Sequence, residues 1–186
     1  MKKSINTALK VLQNTGVIIY PTDTIWGIGC DATNEKAVAK IYEIKQRSES
    51  KSLIILVDSW QMLEQYIHTI PVKANCIIQG SSKPTTLIYN NPKGLAKNVI
   101  ASDNTVAIRI VNDEFCKKLI HKLGKPMVST SANYSNKMSP KKFDEIEISL
   151  LDKADYVVNL HLDKIKNQAS QIIKINNKGE IIFIRK

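Results

Sequence analysis

Arginine is scarce in this lysine-rich chain: of 27 basic residues among 186, only Arg47, Arg109 and Arg185 are arginine. Lysine suffices for solubility, so a position that keeps the planar, permanently charged guanidinium is a candidate for two-pronged binding of carboxylate or phosphate. Cysteine is equally thin. Cys30, Cys76 and Cys116 are odd in number, far apart and in no CxxC or Cys/His ligand spacing, which excludes a disulfide framework and offers no zinc site. They read as small buried hydrophobes in a reducing compartment. The three histidines form no HExxH, so no metal site is expected. No apolar run approaches the roughly 18–20 residues of a spanning helix, and the opening MKKSINTALKVLQN has no signal-peptide core. A cytoplasmic location without membrane contact is therefore expected. GxxxxGK[ST], GxGxxG and GxSxG are all missing, which removes P-loop transfer, dinucleotide chemistry and the nucleophile elbow.

What is present describes one ordinary domain spanning 1–186: 43% hydrophobic and 24% charged residues, in a chain long enough to bury roughly 70% of its unfolded surface. The net charge of +10 points to a polyanionic partner, nucleic acid or a nucleotide triphosphate. The lysines are spread along the chain without a basic block, and aromatic residues make up only 6%, which argues against recognition by base stacking.

Hydrophobic periodicity predicts a helix over 5–13, a strand over 16–21, and a helix capped by Asn34 that runs out near Lys45. A buried strand over 52–57 and helices near 59–67 and 71–79 follow. Strands are predicted over 85–90 and 105–111, then a helix capped by Asn112 and ended by Gly124, then a strand over 126–130. The polar stretch 134–142 reads as a mobile loop. A weaker helix near 143–151, a strand over 155–160 and a hairpin about Asn177, Lys178 and Gly179 complete the chain. Helices and strands alternate before a closing hairpin, which predicts an α/β (α+β) fold, a mixed sheet covered by helices.

Polar clusters at strand ends are where open sheets tend to place ligands. PTDTIWGIG (21–29) sets two hydroxyls and a carboxylate at a strand exit, followed by glycines that permit close backbone approach. KQRSESK (45–51) brings three cations to a helix end, suited to clamping a triphosphate. In TVAIR (105–109) alternation puts Thr105, Ala107 and Arg109 on one face. A guanidinium on a core strand needs an anion, either a structural Asp or a substrate carboxylate. STSAN (129–133) supplies small neutral donors.

In this order, with IFIRK at the end, these motifs resemble the YrdC/TsaC family of threonylcarbamoyl-AMP synthases in its single-domain bacterial form. The resemblance covers nearly the whole chain. It implies a twisted mixed parallel/antiparallel sheet with a large basic concave cavity. The reaction it implies converts L-threonine, bicarbonate and ATP to threonylcarbamoyl-AMP and pyrophosphate, with Mg2+ on the nucleotide. The product passes to a tRNA-modifying complex, and a direct tRNA contact stays open. Carried over by motif, Thr24, Arg109, Ser129 and Ser170 would hold threonine. Lys45 and Arg47 would be catalytic, and Arg47, Lys51, Thr105, Ser131, Ser139 and Arg185 would hold ATP. The chain departs from the family pattern at Ser48, Ser52, Ser81, Ser82, Lys83, Asn136 and Gln171. The alternatives are a divergent YciO-type paralogue or an RNA-binding module with weak or no synthase activity.

Overall fold

The chain enters the fold through α1 (Lys2–Gln13), whose Ile5, Ala8 and Leu12 share one buried face at helical spacing. The computed structural model describes residues 1–48, 52–165, 168–176 and 179–186. After Gly16 comes β1 (Ile18–Tyr20), buried throughout, and residues 21–26 turn the chain back into β2 (Gly27–Gly29), antiparallel to it. The sequence reading missed β2, because Gly-Ile-Gly has no strand propensity of its own. Glycine is needed at Gly29, where a Cβ would overlap the Val128 carbonyl oxygen.

The helix α2 (Glu35–Ile44) is capped by the Asn34 side chain, which accepts from the Ala37 N–H. The strand β3 (Ile54–Val57) is followed by α3 (Trp60–Tyr66) and α4 (Lys73–Gly80). Cys30 and Cys116 are buried as expected, but Cys76 is exposed: α4 buries only Ala74, and Cys76 lies off that contact. The strands β4 (Thr85–Asn90) and β5 (Thr105–Ile110) pair antiparallel. Asp113, not Asn112, caps α5 (Glu114–Leu123), its carboxylate accepting from the Cys116 N–H. The Asn112 side-chain oxygen Oδ1 accepts instead from Lys117 Nζ. Gly124 ends α5 at φ +67°.

The strand β6 (Met127–Ser131) leads into a loop and a 3-10 turn at Phe143–Glu145. The predicted late helix shrinks to α6 (Ile148–Leu151), and only Tyr156–Val157 of the next strand, β7, pairs. A hairpin of β8 (Gln171–Ile175) and β9 (Ile181–Arg185) follows. The strand order is β7-β1-β2-β6-β3-β5-β4-β8-β9. Three pairings are parallel, β1 with β7, β3 with β5 and β4 with β8, and the other five are antiparallel. The architecture is thus the mixed sheet with flanking helices that the α/β reading expected. Among the described residues no helix is long and apolar enough to cross a membrane.

Candidate active site

The turn between β1 and β2 is organised by its own hydroxyls. Thr22 Oγ1 donates to the Ile25 carbonyl at 2.8 Å, accepts the Thr24 N–H at 3.0 Å and lies 2.9 Å from Thr24 Oγ1. This side-chain scaffold fixes Thr24 against β5, where Arg109 Nη1 donates to Thr24 Oγ1 at 3.2 Å. Arg109 Nη2 sits 3.1 Å from Asp23 Oδ1, with side chains only 4% and 11% exposed. Asp23 is thus the structural anion that a buried guanidinium required. Its other oxygen accepts the Asn112 N–H at 3.1 Å. The pairing is incomplete, because the buried Arg109 Nε finds no hydrogen-bond partner in the described structure.

Gly27 of β2, Ser129 and Ser131 of β6 and Ile54 of β3 line adjacent strands and form a floor. A Cβ on Gly27 would come within 3.1 Å of Ser129 Oγ, so glycine keeps that hydroxyl uncovered. Behind the floor lies Lys45, 1% exposed. Its ammonium donates to the Ser131 carbonyl at 2.5 Å and the Asn133 carbonyl at 2.6 Å. Ser135 returns the contact, its N–H donating to the Lys45 carbonyl at 3.1 Å. Lys45 therefore bolts the STSAN turn to the end of α2. Burial, then the charge of Arg47, push its ammonium down to about 7, while the two carbonyls favour the charged form.

The remaining wall comes from the closing hairpin. Arg185 Nε donates to the Ser170 carbonyl at 2.9 Å and Nη2 lies 3.3 Å from Ser170 Oγ. Ser170 Oγ is 2.8 Å from Thr86 Oγ1. Arg47 reaches in from beyond α2, its Nη2 donating to the Ser52 carbonyl at 2.9 Å. Burial lowers the pKa of both Arg47 and Arg185, and the charge of Arg109 lowers Arg185 further. Guanidinium groups gathered against their own repulsion are matched to a polyanion.

Thr24, Arg47, Arg109, Ser129, Ser131, Ser139, Ser170 and Arg185 all line this one hollow of about 230 Å³. Two expected residues are not among the lining residues, and a third is not described. Lys45 is behind the floor. Lys51 lies outside the described residues. Thr105 stands apart from this lining: it starts β5, four residues and roughly 13 Å of strand from Arg109. Its hydroxyl bonds Asp103 at 2.6 Å in a separate depression beside Lys174 and Glu180. Alternation placed it on the right face but said nothing of position along the strand. Thr22, Ile25, Thr130 and Ile172 also line the hollow. Thr22 and Thr130 stood in the flagged PTDT and STSAN clusters, while an isolated apolar strand residue such as Ile172 carried no signal. A larger groove of about 800 Å³ lies beside Ile5, Asp58 and His121, but lacks converging guanidinium groups and hydroxyls.

The Sua5_yciO_yrdC family model, described as telomere recombination, matches residues 10–186. A threonylcarbamoyl-AMP synthase of Pseudoalteromonas translucida is 33% identical over 162 residues, covering 85% of this chain and 86% of its own. That of Escherichia coli K12 is 31% identical over 148 residues, 78% of each chain. Among solved structures, P. abyssi Sua5 complexed with L-threonine superposes with a TM-score of 0.87 at 25% identity over 97% of this chain. This chain spans 53% of that protein, about half its length. E. coli YciO, at 20% identity and TM-score 0.83, shares the fold.

Proposed function

The chain belongs to the Sua5/YciO/YrdC family, and from that premise we propose that it is an L-threonylcarbamoyladenylate synthase, a nucleotidyltransferase acting in tRNA threonylcarbamoyladenosine formation. The observation that carries this reading is the meeting of all three arginines of the sequence, with the hydroxyls of Thr24, Ser129, Ser131 and Ser170, in one hollow. A general RNA-binding module needs basic surface but no such enclosed set of donors, so the alternatives are not favoured.

Arg109, with Thr24, Ser129 and Ser170, receives L-threonine. Asp23 and Thr24 use two of its five N–H donors, and its remaining capacity meets the substrate carboxylate. Arg47, Ser131, Ser139 and Arg185 receive the phosphates of ATP. The volume falls below the roughly 300–1,000 Å³ of ordinary small-molecule pockets, so the reacting groups sit inside and the rest of the nucleotide extends outward.

The threonine amine forms an N–C bond to the carbon of bicarbonate as one C–O bond breaks and its oxygen leaves as water with an amine proton, which gives a carbamate. A carbamate oxygen attacks the α-phosphorus, the bond to the β-phosphate oxygen breaks, and pyrophosphate leaves. The protein contributes positioning and charge neutralisation. Arg47 balances charge on the departing pyrophosphate, whereas Lys45 is a positioning residue that keeps Ser131 in place. Among the described residues no group of three His, Cys, Asp or Glu could hold a metal, and Asp23, the carboxylate beside the hollow, is tied to Arg109 and Asn112. Mg2+ would come bound to the triphosphate and would neutralise phosphate charge there. Handing the product to a tRNA-modifying complex in the cytoplasm belongs to the same proposal.

The test is pyrophosphate release by purified protein given ATP, threonine and bicarbonate, with each omitted in turn. Release that needs all three is expected; release indifferent to threonine would refute the reading. Arg47→Ala should lower turnover with little change in stability, and full activity in that variant would remove Arg47 from the mechanism.

A further inference from the structure

A guanidinium only donates hydrogen bonds and a carbonyl oxygen only accepts them, so hydroxyls strung between the two have one possible direction. Such a run lies along the turn between β1 and β2. Arg109 Nη1 donates to Thr24 Oγ1 at 3.2 Å, Thr24 Oγ1 lies 2.9 Å from Thr22 Oγ1, and Thr22 Oγ1 donates to the Ile25 carbonyl at 2.8 Å. Thr22 has one hydroxyl hydrogen, and it goes to Ile25. The contact between the two threonines therefore uses the Thr24 hydrogen, which points away from Arg109. Thr22, Thr24 and Arg109 are all buried, where a low local dielectric strengthens each bond and holds this order. Thr24 has thus spent its hydrogen on Thr22 and one lone pair on Arg109. What its hydroxyl presents in the hollow is the other lone pair.

We infer that Thr22 is a positioning residue of the reaction: by taking the Thr24 hydrogen, it makes Thr24 a pure acceptor for the α-amine of the amino-acid substrate. This role rests on the synthase reading above and adds a polarity to it. Thr22 acts through Thr24, since its own oxygen already accepts the Thr24 N–H at 3.0 Å as well as the Thr24 hydroxyl. The substrate carboxylate has no hydrogen to give Thr24 and stays with Arg109. The α-amine is one carbon from that carboxylate, and Thr24 Oγ1 stands 3.2 Å from the guanidinium, which brings the amine to Thr24 ahead of the more distant side-chain hydroxyl. The amine attacks bicarbonate with its lone pair, in the neutral form left once the ammonium has released a proton to water. A hydroxyl free to donate would cap that lone pair. One that can only accept holds an N–H instead and leaves the nucleophile uncovered.

Steady-state pyrophosphate release with threonine varied tests the role. Thr22→Val, which frees the Thr24 hydrogen, should lower kcat roughly fivefold to tenfold and leave KM for threonine within about twofold. Thr22→Ser, which keeps the hydroxyl, should hold both constants within about twofold of wild type. In a Thr24→Val background no hydrogen is left to misdirect, so adding Thr22→Val should lower kcat no further. A rise in KM alone, additive losses in the double variant, or failure of Thr22→Ser to keep the wild-type constants would reduce Thr22 to a turn former and overturn the inference. Thr24→Val alone supplies a second test if Thr22→Val does not fold. It should raise KM for threonine and the inhibition constant of L-2-aminobutyrate, which has the amine without the hydroxyl, by the same factor. A loss confined to threonine would put the side-chain hydroxyl on Thr24 and overturn the assignment to the amine. Wild-type release indifferent to threonine would instead refute the synthase reading itself.

Discussion

Arg109 and Arg185 enter the same hollow from different strands, and their surroundings differ in kind. Arg109 is 4% exposed and already faces a carboxylate, Asp23, along with the Thr24 hydroxyl. Arg185 is more open and is held by the carbonyl and hydroxyl of Ser170, with no ion-pair partner among the described residues. The β5 end is therefore electrically balanced and sterically fixed, suited to the single carboxylate of a small zwitterion such as an amino acid. The β9 end keeps an uncompensated positive charge, suited to phosphate. The difference teaches that two arginines can serve one site with opposite weights on stability and on binding.

The largest effect that would break this contrast is expected at Arg109→Ala. It leaves Asp23 nearly buried without its counter-charge, a change that costs about 3–5 kcal/mol, readable as a fall in the urea midpoint together with loss of turnover. Replacing both partners, Asp23→Leu with Arg109→Met, should recover much of the stability and none of the activity. Arg185→Ala, by contrast with Arg109→Ala, should cost activity with little stability. Charge-assisted hydrogen bonds are worth about 1.5–3 kcal/mol, so kcat/KM for ATP should fall roughly 10- to 100-fold, while the denaturation midpoint moves little.

Lys45 sharpens the contrast through pH. Its folded pKa, about 7, lies below the usual lysine value, so above pH 7 the unfolded chain binds more protons than the folded one. Stability should therefore rise with pH between about 7 and 10.4, by at most about 1.4 kcal/mol per pH unit, less whatever the two carbonyl contacts give back. Urea titrations at several pH values should show this slope in the wild type and its loss in Lys45→Met. The smallest effect is expected at Thr105→Val. With its hydroxyl on Asp103 and not in the hollow, the variant should keep turnover within about twofold of wild type.

The motifs were legible because strand-end clusters of polar residues are unusual in an apolar run, and the rarity of arginine marked three of the hollow's walls before any fold was known. Position along a strand was not legible. Period-two alternation assigns a face, so it grouped Thr105 with Arg109, and the position of Lys45 at a helix end did not distinguish a side chain lining the hollow from one that does not. Pairings between distant segments were equally hidden. Ser81 and Gln171 depart from the family pattern in separate motifs, yet Gln171 Nε2 donates to Ser81 Oγ at 2.8 Å and to Thr85 Oγ1 at 2.7 Å. Two substitutions that looked like independent losses form one contact, bracing β4 against β8 beside Ser170.

The central claim is that the two ends of the hollow divide the substrates between them. Steady-state kinetics of Arg109→Lys and Arg185→Lys with threonine and ATP varied separately tests it most directly, since each variant keeps the charge but loses the fork. The account predicts that Arg109→Lys raises KM for threonine at least about tenfold with KM for ATP nearly unchanged, and that Arg185→Lys does the opposite. Both variants raising the same constant would contradict it.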